Sequence, residues 1–311
     1  MLALLLFSLL APNPPKAPAP SSPLALGPGL GDLTLRTLDG NGDWDAKFDF
    51  NGAAYKSTRV KGAPESLDLD RFGGRLELQH SMPAEQVVSL GLEYERLAYG
   101  NNYMLGGTTA PLHSADHWRV DATWFGAQDA PIPWFASARA EAGLVDGAKP
   151  LDELTFGGNL GATVPLMEHV GVKLVIDVNE RHEDDVRILP LALLDWRISE
   201  AWHLGDQAGG WGLGFQGNPA TNYFLSVNLE ERGYRLGKES GAPDAAIYDE
   251  ELSLRGGMVW HPNPGLKVDL FVGLAERELE LRDDGEGLGT IETDDALFGG
   301  IRLSLGTSYL K

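Results

Sequence analysis

Hydrophobic and polar residues alternate along most of this chain with a period of two. In Arg75-Leu76-Glu77-Leu78-Gln79 the leucines fall on one side and the charged and amide groups on the other. Val88, Leu90, Leu92 and Tyr94 alternate with Ser89, Gly91, Glu93 and Glu95, and Trp118, Val120, Ala122 and Trp124 alternate with Arg119, Asp121 and Thr123. Between residues 134 and 142 alanines alternate with Ser137, Arg139 and Glu141, and Val170, Val172, Leu174, Ile176 and Val178 face away from Lys173, Asp177 and Asn179. Leu252, Leu254, Met258 and Trp260 oppose Glu251, Ser253 and Arg255. Val268, Leu270, Val272 and Leu274 oppose Lys267 and Asp269, and Ile301, Leu303 and Leu305 oppose Arg302 and Ser304. A period of two is the strand signature, and no stretch sustains a helical period beyond a turn or two.

Alternation alone describes any half-buried antiparallel sheet, a soluble sandwich included. Segment length separates the cases. These segments run roughly 10 to 15 residues, whereas globular strands average about 5 or 6 and a tilted strand needs about 9 to 11 to cross a bilayer. A membrane barrel turns its apolar face to lipid and its polar face to the lumen, and it closes so that no edge is left unpaired. Aromatic residues near the segment ends, Tyr94, Tyr99, Trp118, Trp124, Trp134, Trp196, Trp202, Trp260 and Tyr309, fit interfacial girdles.

The connections alternate in length as an up-and-down barrel requires. Compact turns are expected at 261–265, 217–220, 198–201, 164–169, 126–131 and 82–85, and longer connections at 283–293, 237–247, 145–152, 99–114 and 59–69, with 182–185 a short exception. Counting Trp202–Gly205 and Gly210–Gln216 as a hairpin gives fourteen strands; reading that stretch as a loop leaves twelve. The fold expected is all-β: a closed antiparallel transmembrane barrel over residues 44–311.

Ahead of the barrel, MLALLLFSLLA is too short to span a bilayer as a helix and suits the apolar part of a secretory signal, so residues 1–20 read as a signal peptide. Residues 21–43 read as a Pro/Gly-rich linker. The absence of cysteine rules out disulfides and thiolate chemistry, and 45 acidic against 25 basic side chains, a net charge of −20, argue against a nucleic-acid partner.

Sorting charges by expected facing sharpens that number. Inward bases are Arg75, Arg119, Arg139, Lys173, Arg255, Lys267 and Arg302; inward acids are Glu77, Glu93, Glu95, Asp121, Glu141, Asp177, Glu251 and Asp269. The wall is close to neutral, so the acidity belongs to loops and rims, notably 180–185 and 283–295. Those clusters read as solvated charge that keeps strands from mispairing. His182 beside Asp184 and Asp185 imitates an acid-base site without a nucleophile, and Asp39-Gly-Asn41-Gly-Asp43 imitates a calcium loop without its Gly and closing Glu. No catalytic site, cofactor or metal is expected.

The tail Ser304-Leu-Gly306-Thr-Ser-Tyr309-Leu-Lys311 is similar to the C-terminal signal of outer-membrane barrels, with Lys311 in place of a final apolar residue. Residues 188–204 and 255–281 resemble an uncharacterised, porin-like family of bacterial outer-membrane β-barrel proteins. The resemblance implies an outer-membrane location, contact with lipid, recognition by the barrel-assembly machinery and no catalytic residues. The function expected is a passive or gated pore for small solutes, lined by the inward charges. The alternative is a non-conducting structural barrel whose acidic loops contact envelope partners.

Overall fold

The computed structural model describes residues 44–306 except 62–65, 84–85, 101–112, 127–129, 146–153, 183, 208–209, 237–244, 264 and 284–285. The expected signal peptide, the linker, the calcium-like loop up to Asp43 and the last five residues of the C-terminal signal lie outside the described residues. Fifteen strands follow in order: β1 (Trp44–Arg59), β2 (Ser66–Met82), β3 (Gln86–Gly100), β4 (Ser114–Phe125), β5 (Trp134–Val145), β6 (Leu154–Met167), β7 (Val170–Arg181), β8 (Asp184–Arg197), β9 (Trp202–Gln207), β10 (Gly210–Asn218), β11 (Thr221–Arg235), β12 (Ala246–Asn263), β13 (Leu266–Asp283), β14 (Glu286–Glu292) and β15 (Ala296–Gly306).

Each strand pairs antiparallel with its neighbour, and β15 closes the ring between β13 and β1. β14 and β15 are one wall position broken at residues 293–295: β13 pairs with β15 from Leu266 to Ala275 and with β14 from Glu278 to Asp283. The barrel therefore has fourteen wall positions, with the β9–β10 hairpin counted among them. Much of the expected loops at 59–69 and 283–293 is strand, because β1, β2, β13 and β14 run on past the membrane-facing segments.

The outer face carries a continuous apolar band. Leu90 and Leu92 on β3, Val120 on β4, Leu160 on β6, Ile176 on β7, Leu225 and Val227 on β11, Leu252 and Leu254 on β12, and Leu270, Val272 and Leu274 on β13 are all exposed. Trp124, Trp134, Trp202 and Trp260 ring the end with the short turns. A closed barrel with this exterior is stable only in a bilayer, where the band faces hydrocarbon. The chain is a transmembrane β-barrel.

At the other end, taken as the outer one because it carries the longer connections, the polarity of the two faces inverts. On β13 the outward row changes from Leu270, Val272 and Leu274 to the acids Glu276, Glu278 and Glu280, while the inward row becomes Leu279 and Leu281. β2 does the same, with Asp68 and Asp70 outward and Leu67 and Leu69 inward. Above the lipid both sides of the wall meet water, so the ordinary rule of an apolar interior returns. Tyr99 accordingly leaves the interfacial girdle expected for it and lies buried inside.

The inward apolar residues form one cluster: Val60, Leu67, Leu69, Leu97, Tyr99, Ala115, Val145, Tyr234, Leu236, Ala245, Ile247, Leu279, Leu281 and Ile291. They come from β1 to β5 and β11 to β14 or the residues next to them, and none comes from β6 to β10. The ring has narrowed here. β11 joins β5 directly through a parallel bridge between Arg235 and Leu144, bypassing five strands. Gly143 faces the lumen at that crossing, and a Cβ there would overlap the Gly233 carbonyl. Only glycine lets the two backbones meet.

Candidate lumen and wall seam

Every side chain expected to line a pore sits on the inner face. Arg75 on β2 reaches Asp121 on β4, with Nη1 to Oδ1 at 2.6 Å and Nη2 to Oδ2 at 2.8 Å. Its guanidinium lies across Gly91 of the intervening β3, where a Cβ would strike it. Glu77 accepts the Ser89 hydroxyl at 2.7 Å. Glu93 takes Arg119 at 3.0 Å, and Arg139 joins Glu141 at 3.0 Å to Asp177 at 2.8 Å. Lys173 binds Asp206 at 2.8 Å. Arg255 reaches Glu230 at 3.2 Å, Lys267 lies 3.6 Å from Asp269, and Arg302 stands opposite Asp269 in the β13–β15 register.

Sequence reasoning placed Glu95 and Glu251 inward but missed Arg71, Glu230, Arg232, Asp249 and Arg277, which complete the group that crosses the lumen. Arg71 on β2 binds Glu230 on β11 at 2.6 Å and also pairs with Glu95. Arg232 on β11 binds Glu95 on β3 at 2.8 Å and pairs with Glu230. Nearby, Arg277 on β13 holds Asp249 at 2.5 Å and pairs with Glu251, which accepts the Tyr55 hydroxyl at 2.9 Å. β11 sits on the far side of the ring from β2 and β3, so the Arg71–Glu230 and Arg232–Glu95 pairs strut the barrel across its width. A signal was available for Glu230: Tyr223, Leu225, Val227 and Leu229 alternate with Phe224, Ser226, Asn228 and Glu230. Arg277 and Asp249 stand among outward acids above the lipid, where a charge no longer marks the inner face.

A seam interrupts the wall beside this network. β9 and β10 have 6 and 9 residues, and among the described residues β8 pairs with β9 only at Trp196–Leu204 and Arg197–His203. Among the described residues β11 pairs with β10 only as far as Val227 opposite Trp211. The Trp211 indole donates to the Leu194 carbonyl at 2.9 Å and spans the lower edge of the seam. Above it, β11 has moved inward, so that its outer face lies under the inner face of β7 and β8. Arg187 and Arg181 pair with Glu231 there, and they reach Glu250 on β12 at 3.4 and 3.3 Å. His182 packs against Gly233, and its carbonyl accepts the Tyr248 hydroxyl. His182, which in sequence only imitates an acid-base site, thus makes a docking contact on its described side.

Between these elements lies a cavity of about 120 Å³, bounded by Arg119, Arg139 and Asp177 on the lumen side and by Leu189 and Leu229 at the seam. That is room for several waters or one small solute.

Among solved structures, an outer-membrane channel from Pseudomonas putida F1 matches with a TM-score of 0.48 at 11% identity, over 94% of this chain and 100% of that one. The Pseudomonas putida toluene transporter TodX matches with a TM-score of 0.42 at 10% identity, over 92% of this chain and 95% of that one. The translocator domain of the autotransporter NalP from Neisseria meningitidis matches with a TM-score of 0.34 at 11% identity, over 86% of this chain and 90% of that one. No protein-family model and no curated protein matches the sequence.

Proposed function

We propose that the protein is a gated channel for small solutes, closed in the conformation described. The observation that carries this reading is the cavity: its lining runs from the charged lumen at Arg119, Arg139 and Asp177 to Leu189 and Leu229 beside the seam. A barrel serving only as a scaffold has no use for a seam whose strand edges lack main-chain partners, since unpaired edges at membrane depth are costly unless water reaches them. In this reading Arg75, Glu77, Glu93, Arg119, Asp121, Arg139, Glu141, Lys173, Asp177, Arg255, Lys267, Asp269 and Arg302 line the path. Their pairing of acid with base gives a weakly selective, near-neutral wall. Solutes with both polar and apolar surface match a route that begins among arginines and ends between leucines.

Planar-bilayer recording tests the proposal. Purified protein should give conductance steps, and Arg139→Glu, which removes the partner of Asp177 and Glu141, should raise the preference for cations over anions. Protein that shifts on a gel after heating, as a folded barrel should, yet gives no steps at any voltage would favour the non-conducting barrel. The apolar cluster filling the outer mouth is the feature that supports that second reading.

A further inference from the structure

Two strand edges compete for the outer half of β11. On one side, β5 pairs with β6 from Trp134 to Ala142, and at Leu144 its edge takes β11 at Arg235. On the other side, β8 from Asp184 to Asp195 has no ladder partner toward β9 among the described residues. β5 and β11 run parallel where they meet. By the up-and-down order β8 runs opposite to β11, so the β8 edge offers the antiparallel pairing found around the rest of the wall.

The choice of partner sets the bore. With β11 on β5, the outer ring contains β1 to β5 and β11 to β13, with β14 completing it: nine positions, the same nine that supply the apolar cluster. Barrels of about eight strands are filled by their own side chains, and diameter grows roughly linearly with strand number. With β11 on β8, the ring gains β6, β7 and β8 and has twelve positions, too wide for the same side chains to fill. We infer that the outer half of β11 is the gate: it closes the channel by pairing with β5 and opens it by pairing with β8. The inference deepens the channel reading and rests on it.

The contacts around β11 suit a short swing. Among the described residues its main-chain pairing to β10 ends at Val227, so past that point β11 can hinge while β12, paired to it along its length, moves with it. Arg181 and Arg187 already tether Glu231 and Glu250 to the β7–β8 hairpin, so β8 stays within reach in both states. Arg71 and Glu95 hold Glu230 and Arg232 in the closed position. Gly143 is the seat: without a Cβ it accepts the β11 backbone, and any larger residue rejects it.

The chain has no cysteine, so one engineered pair gives one disulfide. Leu144→Cys with Arg235→Cys in the full chain should crosslink under oxidation, reduce open-channel conductance at least tenfold, and recover when reduced. Gly143→Leu should raise open probability severalfold. Each preparation is first checked for the heat-dependent gel shift, and the Gly143 variant answers alone if the double variant does not fold. Failure to crosslink, an oxidised pair that conducts like the reduced one, or a Gly143→Leu channel no more open than the wild type would overturn the gate while leaving a conducting wild type as a channel. Silence of the wild type, the reduced pair and Gly143→Leu alike would instead remove the channel reading, and the gate with it.

Discussion

Arg277 shows what single side chains do in this lumen. It is buried with Asp249 and Glu251, and both carboxylates depend on it. Removing one partner of a buried ion pair leaves uncompensated charge and costs about 3 to 5 kcal/mol, whereas replacing the whole set by neutral groups is often nearly neutral. Arg277→Met should therefore destabilise the barrel by that amount in urea unfolding from vesicles, followed by tryptophan fluorescence. Adding Asp249→Asn and Glu251→Gln should recover most of the loss. If the triple variant is as weak as the single one, Arg277 acts through packing over the Tyr55 ring, 5.3 Å from its guanidinium, and not through charge. Leu279→Ala, at the centre of the apolar cluster, has no such compensation.

At the scale of elements, the strands were legible because lipid outside and charge inside make alternation sharp. β4, read from Trp118 to Trp124, and β13, read from Lys267 to Leu274, both fall where the alternation put them. The short β9–β10 hairpin was legible only as one of two readings, because its Gly-rich stretch also reads as a loop. What alternation missed lies above the lipid: Glu276, Glu278 and Glu280 turn outward and Arg277 inward, so charge ceases to report facing and the strands look like loops. The pairing of β11 with β5 was also illegible, since it depends on contact between residues 90 positions apart, Gly143 and Gly233. The β7–β8 tip that covers β11 carries its own prediction. Burial pushes the His182 imidazole below its usual range, with Arg235 adding to the shift and Glu180 opposing it. A histidine held neutral on docking favours the docked tip above its ordinary value near 6.5, and that contribution is lost as the pH falls below it. Amide hydrogen exchange over residues 180–187, corrected for intrinsic rates, should speed up between pH 7.5 and 5.5. His182→Gln should flatten the change; an unchanged profile in the variant would assign it to the neighbouring acids.

The whole molecule is two barrels on one wall: fourteen positions in lipid, nine in the water above. Part of the net charge of −20 lies on the second, whose outer face sets Glu231, Glu250, Glu278 and Glu292 side by side across β11, β12, β13 and β14. Like charges directly opposite one another destabilise a sheet. Arg181 and Arg187 from the β7–β8 tip offset one end of this row, and Lys61, 3.2 Å from Glu292 and 2.6 Å from Glu276, offsets the other. The same arginine substitution on one strand should then have opposite effects on the two sides of the boundary. Val272, 65% exposed and facing out within the apolar band, should lose about 2 to 4 kcal/mol on Val272→Arg, as expected for arginine near the bilayer midplane. Glu278, outward on the same strand and six residues further on, should gain stability on Glu278→Arg, because the change relieves the acidic row where water and not lipid surrounds it. Urea unfolding of both variants in vesicles of one lipid composition measures the difference. Equal losses at the two positions would place both in hydrocarbon, and the inversion between Leu274 and Glu276 would then not mark the membrane surface.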